Sequence, residues 1–333
     1  PKHLSLEQCS SEITARYKAR LLQGDSLTDL TGGFGIDCSF LATGFKSATY
    51  VERQEELCEI AAHNFPVLNL NHINIKNEDG VTYLQAMSPV DCLFLDPARR
   101  NEHGGKTVAI SDCEPNVAEL EELLLQKANR VMIKLSPMLD LSLALKELKQ
   151  TQEVHILSVN NECKELLILL GQTSPAEISI HCVNLFTKGT QKEQHFVFTR
   201  EQEQCSECTY TDSLETYLYE PNASLLKAGA FRSIAAAYPV RKLHPNSHLY
   251  TSDTFIENFP GRIFRIVNQC SFNKKEVKEN LADLKKANVT VRNFPATVAE
   301  LRKRIHLAEG GDTYLFASTL NNGQKVLIRC EKV

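Results

Sequence analysis

Residues 28–42 read TDLTGGFGIDCSFLA, and this stretch gives the clearest local indication of the fold. The alternation of polar and apolar residues that leads into it predicts a strand ending near Asp29. Three glycines then fall within four positions, and a run of helical character starts at Ile36. A strand, a Gly-rich loop and a helix in this order are typical of the ligand-binding edge of an open parallel sheet.

The same alternation continues after this stretch. Five short strand-like runs, each followed by an amphipathic run, lie between residues 27 and 149. Such repeats predict a parallel sheet with helices on both faces. Four more strand-like runs between residues 154 and 199 have no helical run between them, which predicts an antiparallel end to the sheet. We therefore predict an α/β fold with a Rossmann-like sheet whose final strands are antiparallel.

The C-terminal part of the chain predicts a second, smaller domain. Residues 262–333 read as strand, helix, strand, helix, strand and strand, the order of a ferredoxin-like α+β unit. We predict a first domain over residues 1–200, a polar linker over 201–213 and a helical connecting segment over 214–261. With 333 residues the chain is long enough for two domains, each with its own core.

Composition excludes several classes of protein. With 42% hydrophobic and 23% charged residues, the chain is neither disordered nor collagen-like nor a coiled coil. No run approaches about 18 apolar residues and no signal sequence opens the chain, so we predict a cytoplasmic protein with no membrane partner. The first residue is Pro1 and not Met, and we expect an upstream segment to be missing from this sequence.

The cysteines predict neither a disulfide framework nor a metal site. Eleven cysteines, an odd number, are scattered over the whole length, which fits reduced thiols. Cys205 and Cys208 form a C-x-x-C pair, but no second pair and no H-x-H lies nearby to complete four zinc ligands.

Carboxylates follow three successive strands of the predicted sheet. Asp29 precedes the Gly-rich loop, Glu52 ends the next strand about 20 residues after the loop, and Asp79 follows the third strand. A carboxylate at the position of Glu52 can accept both ribose hydroxyls of a nucleotide-like cofactor. The sequence has neither G-x-G-x-x-G nor the G-K-[ST] of a phosphate-binding loop. Because Asp29 would repel a pyrophosphate, a cationic cofactor without phosphate fits better.

These residues carry a resemblance to a known family. The stretch 28–42 resembles motif I of the class I S-adenosylmethionine-dependent methyltransferases, with Thr31 where the family's first glycine is expected. The match covers about residues 1–185, and the whole chain resembles a bacterial group with a THUMP-like, ferredoxin-like C-terminal region. The resemblance implies S-adenosylmethionine as cofactor, with Glu52 at the ribose and Asp79 at the adenine. The implied cofactor-binding residues are Asp29, Thr31, Gly33, Gly35, Glu52, Arg53, Asp79 and Gly80.

The segment DPARR at 96–100 is similar to motif IV of the same family, and it follows a strongly apolar strand. Asp96, Pro97 and Arg99 are the candidate catalytic residues: Asp96 would position an acceptor amine, and Arg99 would orient a base or a phosphate. Ordinary surface ion pairs are the alternative for Arg99. The strand-end segment after the fifth strand has Ser136 and no Cys, which disfavours covalent C5 chemistry and favours an exocyclic or ring nitrogen as acceptor. Lys134, in that strand, either lines the pocket or is an ordinary strand-end charge.

Residues 7–22, EQCSSEITARYKARLL, resemble the family's motif X helix, which closes over the methionine end of the cofactor. Ser11 and Thr14 are therefore candidate cofactor contacts, together with Ser10 and Gln8. A capped helix that covers a sheet edge is the alternative for this segment.

The charge of the chain is divided unevenly. Residues 1–213 have 19 Lys and Arg against 30 Asp and Glu, and residues 214–333 have 18 against 11, so the net charge of −4 is the sum of −11 and +7. The basic clusters, with nearby aromatics, favour RNA binding over a solvated helix face. The clusters are at 241–242, 274–275, 285–286 and 302–304, and the aromatics are Phe231, Phe264 and Phe294.

We therefore predict a methyltransferase that acts on ribosomal or transfer RNA. Two alternatives remain open: a methyltransferase for a protein or small molecule, and a non-catalytic RNA-binding protein on a methyltransferase scaffold. Binding of RNA should weaken steeply as salt rises, whereas binding of a neutral small molecule should not.

Overall fold

The computed structural model describes residues 9–99, 109–173 and 175–333, and of Arg99 only the backbone. The chain divides into two compact units, Pro1–Thr199 and Arg200–Val333.

The N-terminal unit alternates strands and helices up to its last four strands. The helices are α1 (Glu12–Ala19), α2 (Ile36–Leu41), α3 (Glu55–Val67), α4 (Gly80–Ala86), α5 (Val117–Lys127) and α6 (Leu141–Glu147). The strands are β1 (Ser26–Asp29), β2 (Ser47–Glu52), β3 (Ile73–Asn77), β4 (Val90–Leu95), β5 (Ala98–Arg99), β6 (Cys113–Glu114), β7 (Ala128–Leu135), β8 (Thr151–Val159), β9 (Glu162–Gly171), β10 (Ser179–Leu185) and β11 (Glu193–Thr199).

Nine of these strands form one sheet in the order β11-β10-β8-β9-β7-β4-β1-β2-β3. The pairs β1 with β2, β2 with β3, β1 with β4 and β4 with β7 are parallel, and β9 runs antiparallel between β7 and β8. The predicted Rossmann-like sheet with antiparallel final strands is therefore confirmed. Because β1, β2, β4 and β7 are parallel, their carboxyl ends meet at one edge, where the connecting loops can form a site.

Apolar strands and helix faces form the core of this unit. The central strands β4 and β7 are almost continuous runs of buried residues, as expected for strands covered on both faces. In α3, Cys58, Ala61 and Phe65 recur at helical spacing on the buried face, and Phe65 packs edge to face on Tyr50 of β2. These contacts hold the end of β2 against the loop that follows β1.

The C-terminal unit contains a seven-stranded sheet in the order β13-β14-β12-β15-β18-β17-β16. Its strands are β12 (Tyr217–Pro221), β13 (Arg241–Lys242), β14 (Tyr250–Ser252), β15 (Gly261–Ser271), β16 (Lys286–Val291), β17 (Ala308–Thr319) and β18 (Lys325–Lys332). Its helices are α7 (Arg200–Cys205), α8 (Ala223–Ala228), α9 (Ser233–Ala237), α10 (Lys274–Leu281) and α11 (Val298–Ile305). The α+β character predicted for the second domain is confirmed.

Residues 214–261 differ from the helical connection that their sequence predicted. They contain two short helices and three strands, and the three strands belong to the same sheet as β15 to β18. The run YLYEP at 217–221 forms β12 because Leu218 and Tyr219 are fully buried in the core. β12 pairs with β15, which lies about forty residues later in the chain. A local sequence pattern does not predict hydrogen bonds to such a distant strand.

No helix within the described residues is long and apolar enough to cross a membrane. No disulfide joins the cysteines of the described residues.

Candidate functional site

A cavity of about 580 Å³ lies at the carboxyl edge of β1, β2 and β4. Its walls are the loop after β1, the ends of β2 and β4, the start of α4 and residues 114–116. A volume of this size is typical of a site for a small organic ligand. The cavity is also where the order of the parallel strands reverses around β1, the usual ligand position in such sheets.

Glycines bring the loop backbone to this cavity. Gly33 has a φ of +54°, a conformation that favours glycine. A Cβ on Gly32 would lie 2.2 Å from the buried ring of Tyr50, so only glycine fits there. The Tyr50 hydroxyl donates a hydrogen bond to the Gly33 carbonyl, which fixes the loop over the end of β2. Gly35, with a φ of +75°, is the residue before the first turn of α2 and is not among the cavity-lining residues.

Asp29 presents a buried carboxylate to the cavity. Its side chain is only 1% exposed; Oδ1 accepts a hydrogen bond from the Thr31 backbone N–H at 3.0 Å, and Oδ2 has no partner among the described residues. Burial raises the pKa of Asp29 to about 8, and neighbouring Asp37 and Asp96 add to the effect, while Thr31 opposes it. A buried carboxyl oxygen without a partner is costly unless a ligand supplies one. A cationic ligand would do so.

Glu52 ties the loop to the end of β2. Its Oε2 accepts the Gly33 backbone N–H at 2.9 Å, and its Oε1 accepts the Gln54 backbone N–H at 2.8 Å. A carboxylate has about four acceptor sites, so each oxygen can still accept a hydroxyl from a ligand. The geometry therefore suits a vicinal diol such as that of a ribose.

Thr31 explains why this loop has no glycine at its first motif position. The Thr31 hydroxyl accepts the backbone N–H of Asp96 at 2.6 Å and lies 3.5 Å from Asp29 Oδ1. It therefore joins the loop after β1 to the end of β4. A glycine at position 31 would leave the Asp96 N–H without this acceptor.

Asp79, the third predicted cofactor-binding carboxylate, also has a structural role. Asp79 caps α4, since its Oδ1 accepts the backbone N–H groups of Val81 and Thr82, each at 3.0 Å. Asp79 and Gly80 both line the cavity, and so does Arg53, whose guanidinium pairs with Glu114 at 3.1 Å in an exposed position.

Asp96 follows β4 and faces a lysine. The Lys134 ammonium lies 2.5 Å from Asp96 Oδ2, and both residues line the cavity. Burial raises the pKa of Asp96, although Lys134 opposes this. Burial pulls the pKa of Lys134 down, but Asp96, Asp37 and Glu165 together raise it above its ordinary value. Lys134 is therefore a cation at neutral pH.

The structure brings most of the predicted site residues to one cavity and leaves some outside it. The cavity-lining members of the predicted set are Asp29, Thr31, Gly33, Glu52, Arg53, Asp79, Gly80 and Asp96. Pro97 is buried beside the cavity without lining it, and Arg99 has a side chain outside the described residues. Ser11 and Thr14 bond to each other at 3.2 Å instead of lining the cavity, because the chain presents Ser10 there.

Lys18 and Glu165 are buried next to the cavity and were not predicted from the sequence as site residues. Each is a charged residue in a segment of otherwise core character, Lys18 in α1 and Glu165 at the start of the apolar run of β9. A charge at a core position was the available signal, since such groups are rarely buried without a partner.

The C-terminal unit carries a basic surface of its own. Helices α10 and α11 pack over one shared core that includes Leu281 and Leu301. Seven cations on these helices, on the connection to β16 and at the first residue of β16 are exposed and make no salt bridge among the described residues: Lys274, Lys275, Lys278, Lys285, Lys286, Lys303 and Arg304. We call this set the basic surface.

Two parts of the predicted RNA-binding surface lie elsewhere. Lys242 is 2% exposed and donates to the Pro245 carbonyl at 2.6 Å, while Arg241 pairs with Glu215, so the 241–242 cluster is not part of the basic surface. Phe264 is fully buried, because its ring belongs to the core between β15 and β17. The predicted aromatics likewise include Phe231, stacked on His248, and Phe294, packed on Phe272.

Family models match the C-terminal unit over its whole sheet. Residues 217–260 match a ferredoxin-like domain, and residues 261–332 match a THUMP domain-like family. The sequence predicted a ferredoxin-like or THUMP-like unit over residues 262–333; the THUMP domain-like match covers that segment, and the ferredoxin-like match lies before it. No curated protein matches the chain in sequence.

Solved structures resemble almost the whole chain or about half of it. An rRNA methylase from Streptococcus thermophilus is 14% identical, with a TM-score of 0.36 over 49% of this chain and 97% of that one. An O-methyltransferase from Bacillus cereus in complex with SAH is 13% identical, with a TM-score of 0.39 over 52% of this chain and 92% of that one. Neither similarity is close enough to support an argument.

A third similarity extends over almost the full length. The crystal structure of a Porphyromonas gingivalis W83 protein, provisionally designated a methyltransferase, is 38% identical, with a TM-score of 0.90 over 99% of this chain and 83% of that one. The orphaned Asp29 oxygen, the diol-accepting Glu52 and the size of the cavity fit S-adenosylmethionine. The chain belongs to the same family as this protein, and it is a class I methyltransferase with S-adenosylmethionine as its cofactor.

Proposed function

We propose that this methyltransferase acts on RNA, with ribosomal and transfer RNA as the substrate classes. The observation that carries the proposal is the basic surface, whose seven exposed cations make no salt bridge among the described residues and belong to the THUMP domain-like region. Unpaired Lys and Arg side chains on one small unit are suited to RNA phosphates, which supply affinity and orientation without sequence choice. The acidic N-terminal unit then holds the cofactor.

Residues of the cavity divide the binding of the cofactor among them. Asp29 accepts its cationic amino group, Glu52 its ribose hydroxyls and Asp79 its adenine amino group. Gly33 lets the backbone approach closely, because it tolerates a φ that other residues rarely adopt. When bound, S-adenosylmethionine would supply an electrophilic methyl carbon, and Asp96 is a cavity-lining residue that could hold the acceptor.

Asp96 positions the acceptor and takes up its proton. The Thr31 hydroxyl accepts a hydrogen bond from the Asp96 backbone N–H, and Lys134 pairs with the Asp96 carboxylate. Both the backbone and the side chain of Asp96 are therefore held in place. Such fixed geometry is the main contribution that a protein makes to a single displacement. A nitrogen of a base is the acceptor that the sequence predicted, because the segment after the fifth strand has Ser136 and no Cys for covalent C5 chemistry.

The salt dependence of RNA binding tests the proposal. The affinity of the full chain for bulk transfer and ribosomal RNA should fall linearly on a log–log plot against salt concentration. A variant with Lys274, Lys275 and Lys278 replaced by Gln should lower the slope by about 2, since each lost phosphate contact lowers it by about 0.7 to 0.9.

A matched triple variant controls for the loss of three positive charges. Lys46, Lys164 and Lys188 are exposed lysines of the N-terminal unit, and replacing them by Gln should leave the slope almost unchanged. Equal losses in both triple variants, or binding that is independent of salt, would contradict the RNA proposal and favour a protein or a small molecule as substrate.

A further inference from the structure

A chain of alternating charges extends from the cavity into the protein. Asp96 Oδ2 lies 2.5 Å from Lys134 Nζ, which lies 3.0 Å from Asp37 Oδ2. Asp37 Oδ1 lies 3.0 Å from Lys18 Nζ, which lies 2.6 Å from Glu165 Oε2. We call these five side chains the charge chain. Its members lie on five different elements or loops, so the tertiary fold alone brings them together.

Only one end of the charge chain reaches the solvent. The side chain of Lys18 is fully buried, those of Glu165, Lys134 and Asp37 are at most 10% exposed, and that of Asp96 is 37% exposed. Ser10 completes the polar interior, because its hydroxyl receives a hydrogen bond from Lys18 at 2.7 Å and donates one to Asp37 at 2.8 Å. The group that a substrate meets is therefore Asp96 with Lys134 beside it.

Two buried members of the charge chain are held in their charged forms, Asp37 as an anion and Lys134 as a cation. Although burial favours the neutral acid, Lys18 and Lys134 hold the pKa of Asp37 below its usual value. The buried carboxylates in turn keep Lys134 protonated. Removing two ammonium groups from water is unfavourable before they are paired, and apolar residues would fill the same volume without that penalty. An arrangement of this kind is understandable if the Lys134 charge acts in the reaction.

The sign of that charge discriminates between acceptor atoms. An amine that receives a methyl group becomes positive before it loses its proton, and an ammonium group beside it would raise the barrier. A hydroxyl oxygen loses its proton and becomes negative, and the same ammonium group would lower the barrier. Lys134, held beside Asp96, is therefore matched to an oxygen.

We propose that the acceptor is a hydroxyl group, with Asp96 as the proton acceptor and Lys134 as the cation that stabilises the developing negative charge on oxygen. The hydroxyl oxygen forms a bond to the methyl carbon, the bond from that carbon to sulfur breaks with its electron pair moving to sulfur, and the hydroxyl proton passes to the Asp96 carboxylate. This inference rests on the proposed RNA substrate. The free hydroxyl of an internal RNA nucleotide is the ribose 2′-OH, so the product is a 2′-O-methyl nucleotide.

Lys18, Asp37 and Glu165 are positioning residues in this scheme. They do not touch the substrate; they hold Lys134 in place and keep its charge. Lys134→Arg retains a cation, whereas Lys134→Met retains the length of the side chain without the charge.

The test uses the full chain, S-adenosylmethionine with an isotopically labelled methyl group, and total RNA from a strain without this gene. Labelled RNA is hydrolysed in alkali and also digested to nucleosides for mass spectrometry. Methyl groups on ribose appear in alkali-resistant dinucleotides and in nucleosides that lose a methylated sugar, and this result is expected. Label on a base nitrogen would overturn the hydroxyl proposal and leave the RNA function intact. Label in no RNA would overturn the RNA function and with it this inference.

The Lys134 variants separate the charge from the packing. Lys134→Met should slow methyl transfer by about 10²- to 10³-fold, the effect of removing one group that stabilises an oxyanion, and Lys134→Arg should recover part of the rate. Calorimetry with S-adenosylhomocysteine is the readout that does not depend on activity, and both variants should bind it within a few-fold of the wild type. Lys46→Met is the control at an exposed lysine. A Lys134→Met variant that binds S-adenosylhomocysteine normally and transfers methyl groups at the wild-type rate would refute the role of Lys134.

Discussion

The buried carboxylate of Asp29 makes binding of the cofactor product dependent on pH. In the protein without ligand, burial raises the pKa of this group to about 8, so about 1% of it is ionised at pH 6 and about half at pH 8. If the ammonium group of S-adenosylhomocysteine binds the ionised form, the apparent affinity follows the ionised fraction. The dissociation constant should therefore fall about fiftyfold from pH 6 to pH 8, which corresponds to about 2 kcal/mol.

Calorimetry measures both parts of this prediction. At pH 6, binding should release close to one proton, and the observed enthalpy should then change with the ionisation enthalpy of the buffer. Asp29→Asn should bind more weakly at pH 8 and lose both the pH dependence and the proton release. Asp25→Asn, at an exposed residue paired with Lys46, should behave as the wild type. A dissociation constant that is the same at pH 6 and pH 8, or a pH dependence that persists in Asp29→Asn, would refute the reasoning.

Two predictions concern stability, and urea unfolding of the full chain measures both. Gly32→Ala should lower the free energy of unfolding of the N-terminal unit by about 2 to 3 kcal/mol, because the added Cβ would lie 2.2 Å from the Tyr50 ring. The control is Gly44→Ala, which should be nearly neutral because a Cβ at Gly44 has nothing within 4 Å. Glu220→Gln should lower the free energy of unfolding of the C-terminal unit by about 3 kcal/mol, because Arg262 and Arg292 lose the charge of their common buried partner. Glu331→Gln breaks an exposed pair and should lower it by at most about 1 kcal/mol. Equal effects within either pair of variants would contradict the burial argument.

Local patterns were sufficient to predict the N-terminal fold. Strand and helix periodicity is set by neighbouring residues, and the pattern after residue 27 alternates without interruption. Local patterns did not predict the strand at 217–221, because β12 is only five residues long and pairs with residues of β15 that lie 40 or more positions away. Pattern alone could not supply that pairing, because strand formation depends on the neighbours that a strand finds.

The placement of three carboxylates at the cavity was also predictable from the sequence. Asp29, Glu52 and Asp79 all stand at strand ends on the same side of a parallel sheet, so their positions along the chain place them at one edge. The motif X segment was less informative, because Ser10 and Ser11 are adjacent and only the helix orientation decides which of them faces the cavity. In the structure Ser10 lines the cavity and Ser11 does not.

The amino-acid sequence by itself determined the alternating strands, the Gly-rich loop and the carboxylates at the strand ends, because each depends on short-range periodicity or on the backbone freedom of glycine. Tertiary structure alone decided the charges around Asp96. Lys18 and Glu165 are separated by 147 positions and meet only because β9 is inserted next to β7, with α1 packed behind them. The buried carboxylates around Lys134 keep it protonated, because charges attract more strongly in a low-dielectric interior than in water, where solvent would screen them.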